Sequence, residues 1–248
     1  MGLFSLFRKK KSKKPKKSKK LVQEPRVKMR ELVNKGVAFA NVGRYDDALA
    51  CLDEALKRDE KLTDAWNKKG FVLYNLARHQ EALTCYDKAL RLNPKYAECW
   101  YNKGNVLTQI GREREALACY DEALRLNPKL ADAWREKGVA LKNLGRHQEA
   151  LSCYDKALDI NSKDIDSWRN KGTALARLGR QEEALVCYDA VLDIDPRYAK
   201  AWHDKGFALY FLKRYDEALQ CAEEALRINS DDDLAYKLRQ MILAELKR

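Results

Sequence analysis

The chain has 248 residues and a formal net charge of +12. Residues 1–28 hold twelve lysines and arginines and a single acid, Glu24, whereas the remaining 220 residues carry 37 basic and 36 acidic side chains. The charge therefore belongs to one end of the chain, which excludes a nucleic-acid-binding surface spread over the whole molecule. No segment approaches the ~20 consecutive apolar residues of a membrane span.

Residues 1–28 are predicted to form a disordered basic tail with a short apolar tip. High charge with low hydrophobicity buries too little apolar surface to order a chain. The tail differs from a secretory signal because its charges follow the apolar residues. Leu6 stands where an N-myristoylation signal has serine or threonine.

Three roles for this tail stay open. It is a solubilising segment, an attachment to an anionic membrane surface, or an arm that binds nucleic acid or ribosomes. Lysines attract anionic lipid at about 1 kcal/mol each and also neutralise phosphates, but an apolar tip suits lipid better. The candidate residues are Leu3, Phe4, Leu6, Phe7, Lys9, Lys10, Lys11, Lys13, Lys14, Lys16, Lys17, Lys19 and Lys20.

After the tail, three residue types recur every 34 residues in one phase. The tryptophans are Trp66, Trp100, Trp134, Trp168 and Trp202. The glycines are Gly36, Gly70, Gly104, Gly138, Gly172 and Gly206, and the alanines are Ala48, Ala82, Ala116, Ala150, Ala184 and Ala218. This register defines six units over 29–62, 63–96, 97–130, 131–164, 165–198 and 199–232.

Each unit is predicted to be a pair of amphipathic helices. In the third unit, apolar residues at spacings of three and four define one helical face between Trp100 and Ile110. Gly111 then suits the left-handed residue after a helix. A second face follows from Ala116, and Asn127-Pro128 closes the unit.

This pattern resembles the tetratricopeptide repeat family, whose unit reads W-x2-L-G-x2-Y, then A-x3-F and a later proline. The resemblance covers residues 29–232 and implies an all-α fold, a right-handed α-solenoid that binds other proteins. The chain departs from the family where lysine replaces the leucine before each glycine. Terminal units depart further, with Leu32 for the tryptophan and Ala222 for the second aromatic residue.

The resemblance implies that first helices line a concave groove. Unlike the core positions, the residues assigned to this groove vary between units. They are Asn67, Phe71, Tyr74, Asn75, Tyr101, Asn105, Gln109, Arg135, Lys142, Asn143, Arg169, Arg177, His203, Phe207, Tyr210 and Phe211.

The composition of the groove predicts a partner with a central acidic segment and an apolar anchor near the last units. A generic solvated face is the alternative. A chaperone carboxylate clamp is not expected, since its closest match, Arg135, Asn170 and Lys200, lacks the remaining asparagine and arginine.

Cysteines and histidines give no sign of a cofactor, metal site or catalytic centre. Six of the seven cysteines occupy one repeat position, so stacked helices would hold them ~8–10 Å apart, too far for a disulfide or shared zinc. Buried thiols in a reducing cytoplasm are expected, as is the absence of enzymatic activity.

Residues 233–248 are predicted to form a capping helix that shields the last unit. Its apolar stripe is Leu234, Leu238, Ile242 and Leu246. Together, these features predict a non-enzymatic cytoplasmic scaffold or adaptor that holds a partner in its groove and lies peripherally at a membrane through its tail. The alternative function is a nucleic-acid- or ribosome-associated protein.

Overall fold

A computed structural model of the chain describes residues 17–247, with side chains from residue 28 onward. Helices α1 to α13 follow one another through this part of the chain. They span Lys17–Asn41, Tyr45–Arg58, Thr63–Asn75, His79–Leu92, Ala97–Gln109, Glu113–Leu126, Ala131–Asn143, His147–Ile160, Ile165–Arg177, Gln181–Ile194, Ala199–Phe211, Tyr215–Ile228 and Asp233–Leu246.

The predicted α-solenoid is confirmed. Each odd-numbered helix packs against the next even-numbered helix, and each such pair packs against the following pair. Helices α3, α5, α7, α9 and α11 begin at residues 63, 97, 131, 165 and 199, where the 34-residue register starts its units.

The start of the first helix differs from the sequence-based boundary. Residues 17–28 were assigned to a disordered tail, but α1 begins at Lys17, so their backbone is helical in the structure. The residue types involved are mostly good helix formers. The prediction of disorder was based on charge and hydrophobicity and did not take helix propensity into account. The apolar tip and the lysines from Lys9 to Lys16 lie outside the described residues.

Glycines of the first helices make room for tyrosines of the second helices. A Cβ built on Gly104 would lie 2.5 Å from the ring of Tyr120, and Gly70, Gly138 and Gly172 meet the equivalent tyrosines in the same way. Tyr120 is fully buried. The repeated glycine is therefore a space requirement, which explains its strict recurrence.

The turn inside each unit needs one left-handed residue. Gly43, Gly111, Gly145 and Gly179 have φ values of 73° to 77°, and the equivalent positions in the second and sixth units are Ala77 at φ 57° and Lys213 at φ 60°. Side chains other than glycine adopt this region at a cost. The second and sixth units thus carry local strain that the others avoid.

Candidate protein-binding site

First helices form the inner layer of the array. Successive first helices, such as α3 and α5 or α5 and α7, contact each other, whereas no contact joins successive second helices among the described residues. The helices that crowd together lie on the inside of a curve. The first helices therefore line the concave face, and the second helices form the convex back.

On the convex side the same interactions recur from unit to unit. In the second to sixth units, the lysine before the glycine lies over the tryptophan of its own helix, as Lys103 does at 5.6 Å from the centre of Trp100. Its Nζ also lies 2.7 Å from a carboxylate oxygen of Asp87 in the preceding unit. These lysines, which depart from the family pattern, therefore tie neighbouring units together.

A cleft of about 760 Å³ opens beside these bridges between α6, α7 and α8. Its walls include Asp121, Trp134 and Lys137, and a related cleft in the sixth unit includes Trp202 and Lys205. Because the walls are repeated architectural residues, this surface offers little to distinguish one partner from another.

An ion pair between an arginine and an acidic residue follows the turn within each unit. Arg112 Nη2 lies 2.6 Å from Glu115 Oε2, and every unit has an arginine paired with an acid three residues later. Both partners are largely exposed to solvent.

On the concave side, residues at equivalent positions differ. The position one residue after the tryptophan holds Asn67, Tyr101, Arg135, Arg169 and His203 in successive units. Several of these side chains reach the next unit. Each makes its own set of contacts, so the contacts at this concave position do not repeat from unit to unit.

Asn67 corrects the prediction that its side chain points outward. It is fully buried, its Nδ2 donates to Tyr96 Oη at 3.1 Å, and its Oδ1 accepts from Asn102 Nδ2 at 3.1 Å. Tyr96 lies at the end of the same unit and Asn102 in the next unit, so spacing within one helix could not reveal this burial. Asn67 is not available to a partner.

The central arginines are engaged in ion pairs. Arg135 Nη1 lies 2.8 Å from Asp132 Oδ1 and 3.2 Å from Asp164 Oδ2, and its Nε lies 3.2 Å from Glu136 Oε1. Burial opposes the charge of Arg135, but the surrounding carboxylates outweigh burial and raise its pKa. Burial also raises the pKa of Glu136, and Arg135 partly offsets this effect.

Arg169 and Lys142 are held in similar ways. Arg169 Nε donates to Asp204 Oδ2 of the next unit at 2.8 Å, and Lys142 Nζ donates to Asn170 Oδ1 at 2.8 Å. Burial lowers the pKa of Lys142, and Arg169 adds to this shift. Arg169 and Lys142 thus stabilise contacts between units.

The remaining candidates stay at the groove surface. Asn75, Gln109, Asn143 and Arg177 are exposed, and Tyr74, Tyr101, Asn105 and Tyr210 are half-buried. Phe71, Phe207 and Phe211 are 43%, 41% and 56% exposed. These three aromatic side chains lie toward the two ends of the groove.

Near the amino-terminal end, Phe71 borders a cavity of about 280 Å³ between α1, α3 and α5. Its walls include Val37, Ala40, Val72 and Tyr101, and an ion pair between Lys68 Nζ and Glu98 Oε1 at 3.0 Å lies beside it. The sequence did not point to this cavity, since three separate units contribute its walls.

The cysteines are reduced and mostly buried. Burial raises the pKa of the Cys119 thiol to about 11 and that of Cys99 to about 12, which keeps both protonated and unreactive. Between residues 28 and 247, no cluster of three or more His, Cys, Asp or Glu side chains could hold a metal ion. No helix within the described part of the chain is long and apolar enough to cross a membrane.

Six family models match consecutive and overlapping parts of the chain, all described as tetratricopeptide or TPR repeats. The matched residues are 32–62, 61–129, 101–165, 153–186, 172–213 and 199–232. The chain belongs to the tetratricopeptide repeat family. Proteins of this family are generally non-enzymatic scaffolds for protein–protein interaction.

Solved structures agree with this assignment. YrrB, described as a TPR protein with an unusual peptide-binding site, is 26% identical, covers 76% of this chain and 97% of its own, and has a TM-score of 0.65. PilF of Pseudomonas aeruginosa, at 19% identity, covers 89% of this chain and 99% of its own with a TM-score of 0.77. MamA, at 24% identity, covers 66% and 96% with a TM-score of 0.61.

Both PilF and MamA share the fold alone with this chain. No curated protein sequence matches it.

Proposed function

We propose that this tetratricopeptide array is a non-enzymatic adaptor that holds a segment of a partner protein in its concave groove. The observation that carries the proposal is the contrast between the two faces. On the back, the lysine–aspartate bridges and the turn ion pairs repeat from unit to unit, whereas the concave position after the tryptophan makes different contacts in different units. A surface that recognises one non-repeating peptide needs such differences.

YrrB supports the proposal as a structural relative described as having a peptide-binding site. Exposed phenylalanines at both ends of the groove add support. Aromatic side chains that become buried when a partner binds contribute much of the free energy of protein binding.

Matched photo-crosslinking tests the groove. A photoreactive amino acid is placed at the exposed concave positions Asn75, Gln109, Asn143 and Phe211 in turn. The control set is exposed on the second helices at a single repeat position: Thr84, Ala118, Ser152 and Val186. In cells that express the chain, we expect one partner to crosslink from the concave set. Crosslinks confined to the second-helix set would refute groove binding.

For the tail, we propose attachment to an anionic membrane surface in the cytoplasm. The support is the sequence alone, an apolar tip followed by lysines. Sedimentation with anionic vesicles and with RNA compares the full chain with a variant lacking residues 1–16. Vesicle binding that disappears with the tail supports the proposal, whereas binding to RNA alone would favour the nucleic-acid alternative.

A further inference from the structure

Helix α13 continues the register of the first helices. In the 34-residue register Tyr236 occupies the tryptophan position and Arg239 the lysine position. Arg239 Nε lies 3.6 Å from Glu223 Oε1, at the repeat position of the bridges between lysines and aspartates. Asp232 caps the helix by accepting from the backbone N–H groups of Leu234 and Ala235.

The buried side of α13 follows the same register. Ala235, Leu238 and Ile242 are buried, and Leu238 fills the space over Gly206 where other units place a tyrosine. The predicted stripe is wrong at its two ends, because Leu234 is 61% exposed and Leu246 is 42% exposed. Periodicity alone suggested that every fourth residue faces the core. Alignment to the 34-residue repeat instead places Leu234 at the position of Lys200, which is exposed.

Placed in register, α13 extends the concave face. Leu234 is equivalent to Lys200, Lys237 to His203, and Met241 to Phe207. Met241 is 43% exposed, and α13 contacts α11 directly. The groove therefore continues past the sixth unit onto a helix that was assigned only to capping.

Four exposed apolar residues on α11 and α13 lie at this end of the groove, and we call them the apolar strip: Phe207, Phe211, Leu234 and Met241. Phe207 and Phe211 pack edge to face with their ring centres 4.9 Å apart, and His203 stacks on Phe207 at 6.2 Å. Aromatic and methionine side chains of this kind are enriched at protein interfaces.

The charges around the strip differ from those along the rest of the groove. The second residue of each first helix is Asp64, Glu98, Asp132 and Asp166 in four successive units, and then becomes Lys200. Arg177, Lys200 and Lys237 are exposed and form no ion pair with any described residue. Unlike Arg135 and Arg169, these cations are free to bind a ligand.

We propose that the strip and the three free cations form the docking site for an acidic amphipathic segment of a partner protein. Aromatic or aliphatic side chains of the segment pack on Phe207, Phe211, Leu234 and Met241, while its carboxylates pair with Arg177, Lys200 and Lys237. This proposal rests on the proposed binding of a partner in the groove. It specifies where the partner binds and which residue types of the partner make the contacts. The lysine-rich tail of this chain is a poor occupant because its charge has the same sign.

Selection from a display library of random peptides of about sixteen residues tests this site. We expect the enriched peptides to carry net negative charge and apolar residues three or four positions apart. Their affinity should fall about tenfold or more in Lys200→Glu/Lys237→Glu and in Phe207→Ala/Met241→Ala. The matched controls Lys129→Glu and Val186→Ala, exposed residues of a loop and a second helix, should bind as the unchanged chain does.

Circular dichroism confirms that each variant is folded. Enriched peptides with net positive charge, or peptides that bind both double variants normally, would overturn the site. If their binding depends on Phe71 and Tyr101 instead, the site is wrong but groove binding stands. If no peptide is enriched, both proposals fail. Binding of the variant lacking residues 1–16 to anionic vesicles through Phe211 and Lys237 would show a lipid surface instead and would also overturn the site.

Discussion

The back and the inner face of this array use the same helices under different constraints. On the back, each lysine bridge repeats the one before it, such as Lys103 to Asp87 and Lys137 to Asp121. On the inner face, Tyr101, Arg135 and Arg169 occupy one repeat position with unrelated contacts. Repetition therefore marks what holds the units together, and variation marks where a partner can be distinguished.

Arg135 and Arg169 blur this division. They lie at a variable position, yet carboxylates of its own unit hold Arg135, and Asp204 of the next unit holds Arg169. Variation alone is therefore an incomplete guide to binding. A residue must also be free, which selects Arg177, Lys200 and Lys237.

The largest expected loss of stability follows a substitution in the repeated core. We predict that Gly104→Ala lowers the free energy of unfolding by about 2–3 kcal/mol, because its Cβ would overlap the buried ring of Tyr120. Gly206→Ala is the matched control, since its nearest side-chain atom would be Cys221 Cβ at 3.1 Å. Urea unfolding checks the pair, and equal losses would contradict the space requirement.

A smaller loss is expected where the groove serves as architecture. Arg169→Ala should lower the free energy of unfolding by about 1–2 kcal/mol, because Asp204 keeps a half-buried carboxylate without its guanidinium partner. Adding Asp204→Asn should recover part of this loss. A double-mutant cycle in urea measures the coupling, and strictly additive losses would show that the pair contributes nothing.

Substitutions at the left-handed turn residues of two units should change the free energy of unfolding in opposite directions. Ala77→Gly should raise the free energy of unfolding by about 1 kcal/mol because it relieves a left-handed alanine, and Gly111→Ala should lower it by a similar amount. Thermal unfolding of the two variants gives the signs. Shifts of the same sign would rule out backbone strain as the cause.

The smallest effect concerns the exposed pairs at the turns. The hydrogen bond from Arg112 lowers the pKa of Glu115 below its ordinary value of 4.5. The stabilisation is present above this ordinary value and is lost as the pH falls through the lowered pKa of the folded state. Carboxyl NMR titration should show a low pKa that returns toward 4.5 in Arg112→Ala. An unchanged titration curve in Arg112→Ala would show that Arg112 does not lower the pKa of Glu115.

Much of the fold could be predicted because it repeats. The tryptophans and glycines set the register, and the first helices begin where that register places them. The burial of Asn67 and the pairing of Arg169 could not be predicted, since Tyr96, Asn102 and Asp204 are about 30 residues or more away in the sequence and lie outside the helix of the residue they contact. The role of α13 was accessible, because Tyr236 and Arg239 keep the register beyond the sixth unit.

The central claim is that the exposed concave residues of the sixth unit determine binding without determining stability. It is tested most directly by giving the sixth unit the concave residues of the third. Lys200, His203, Phe207, Tyr210 and Phe211 become Glu, Tyr, Asn, Thr and Gln. Binding of selected peptides is measured by fluorescence anisotropy, with thermal unfolding of the same samples as the control for folding. We predict that binding is lost while the melting temperature stays close to that of the unchanged chain, and retained binding in a folded variant would contradict the claim.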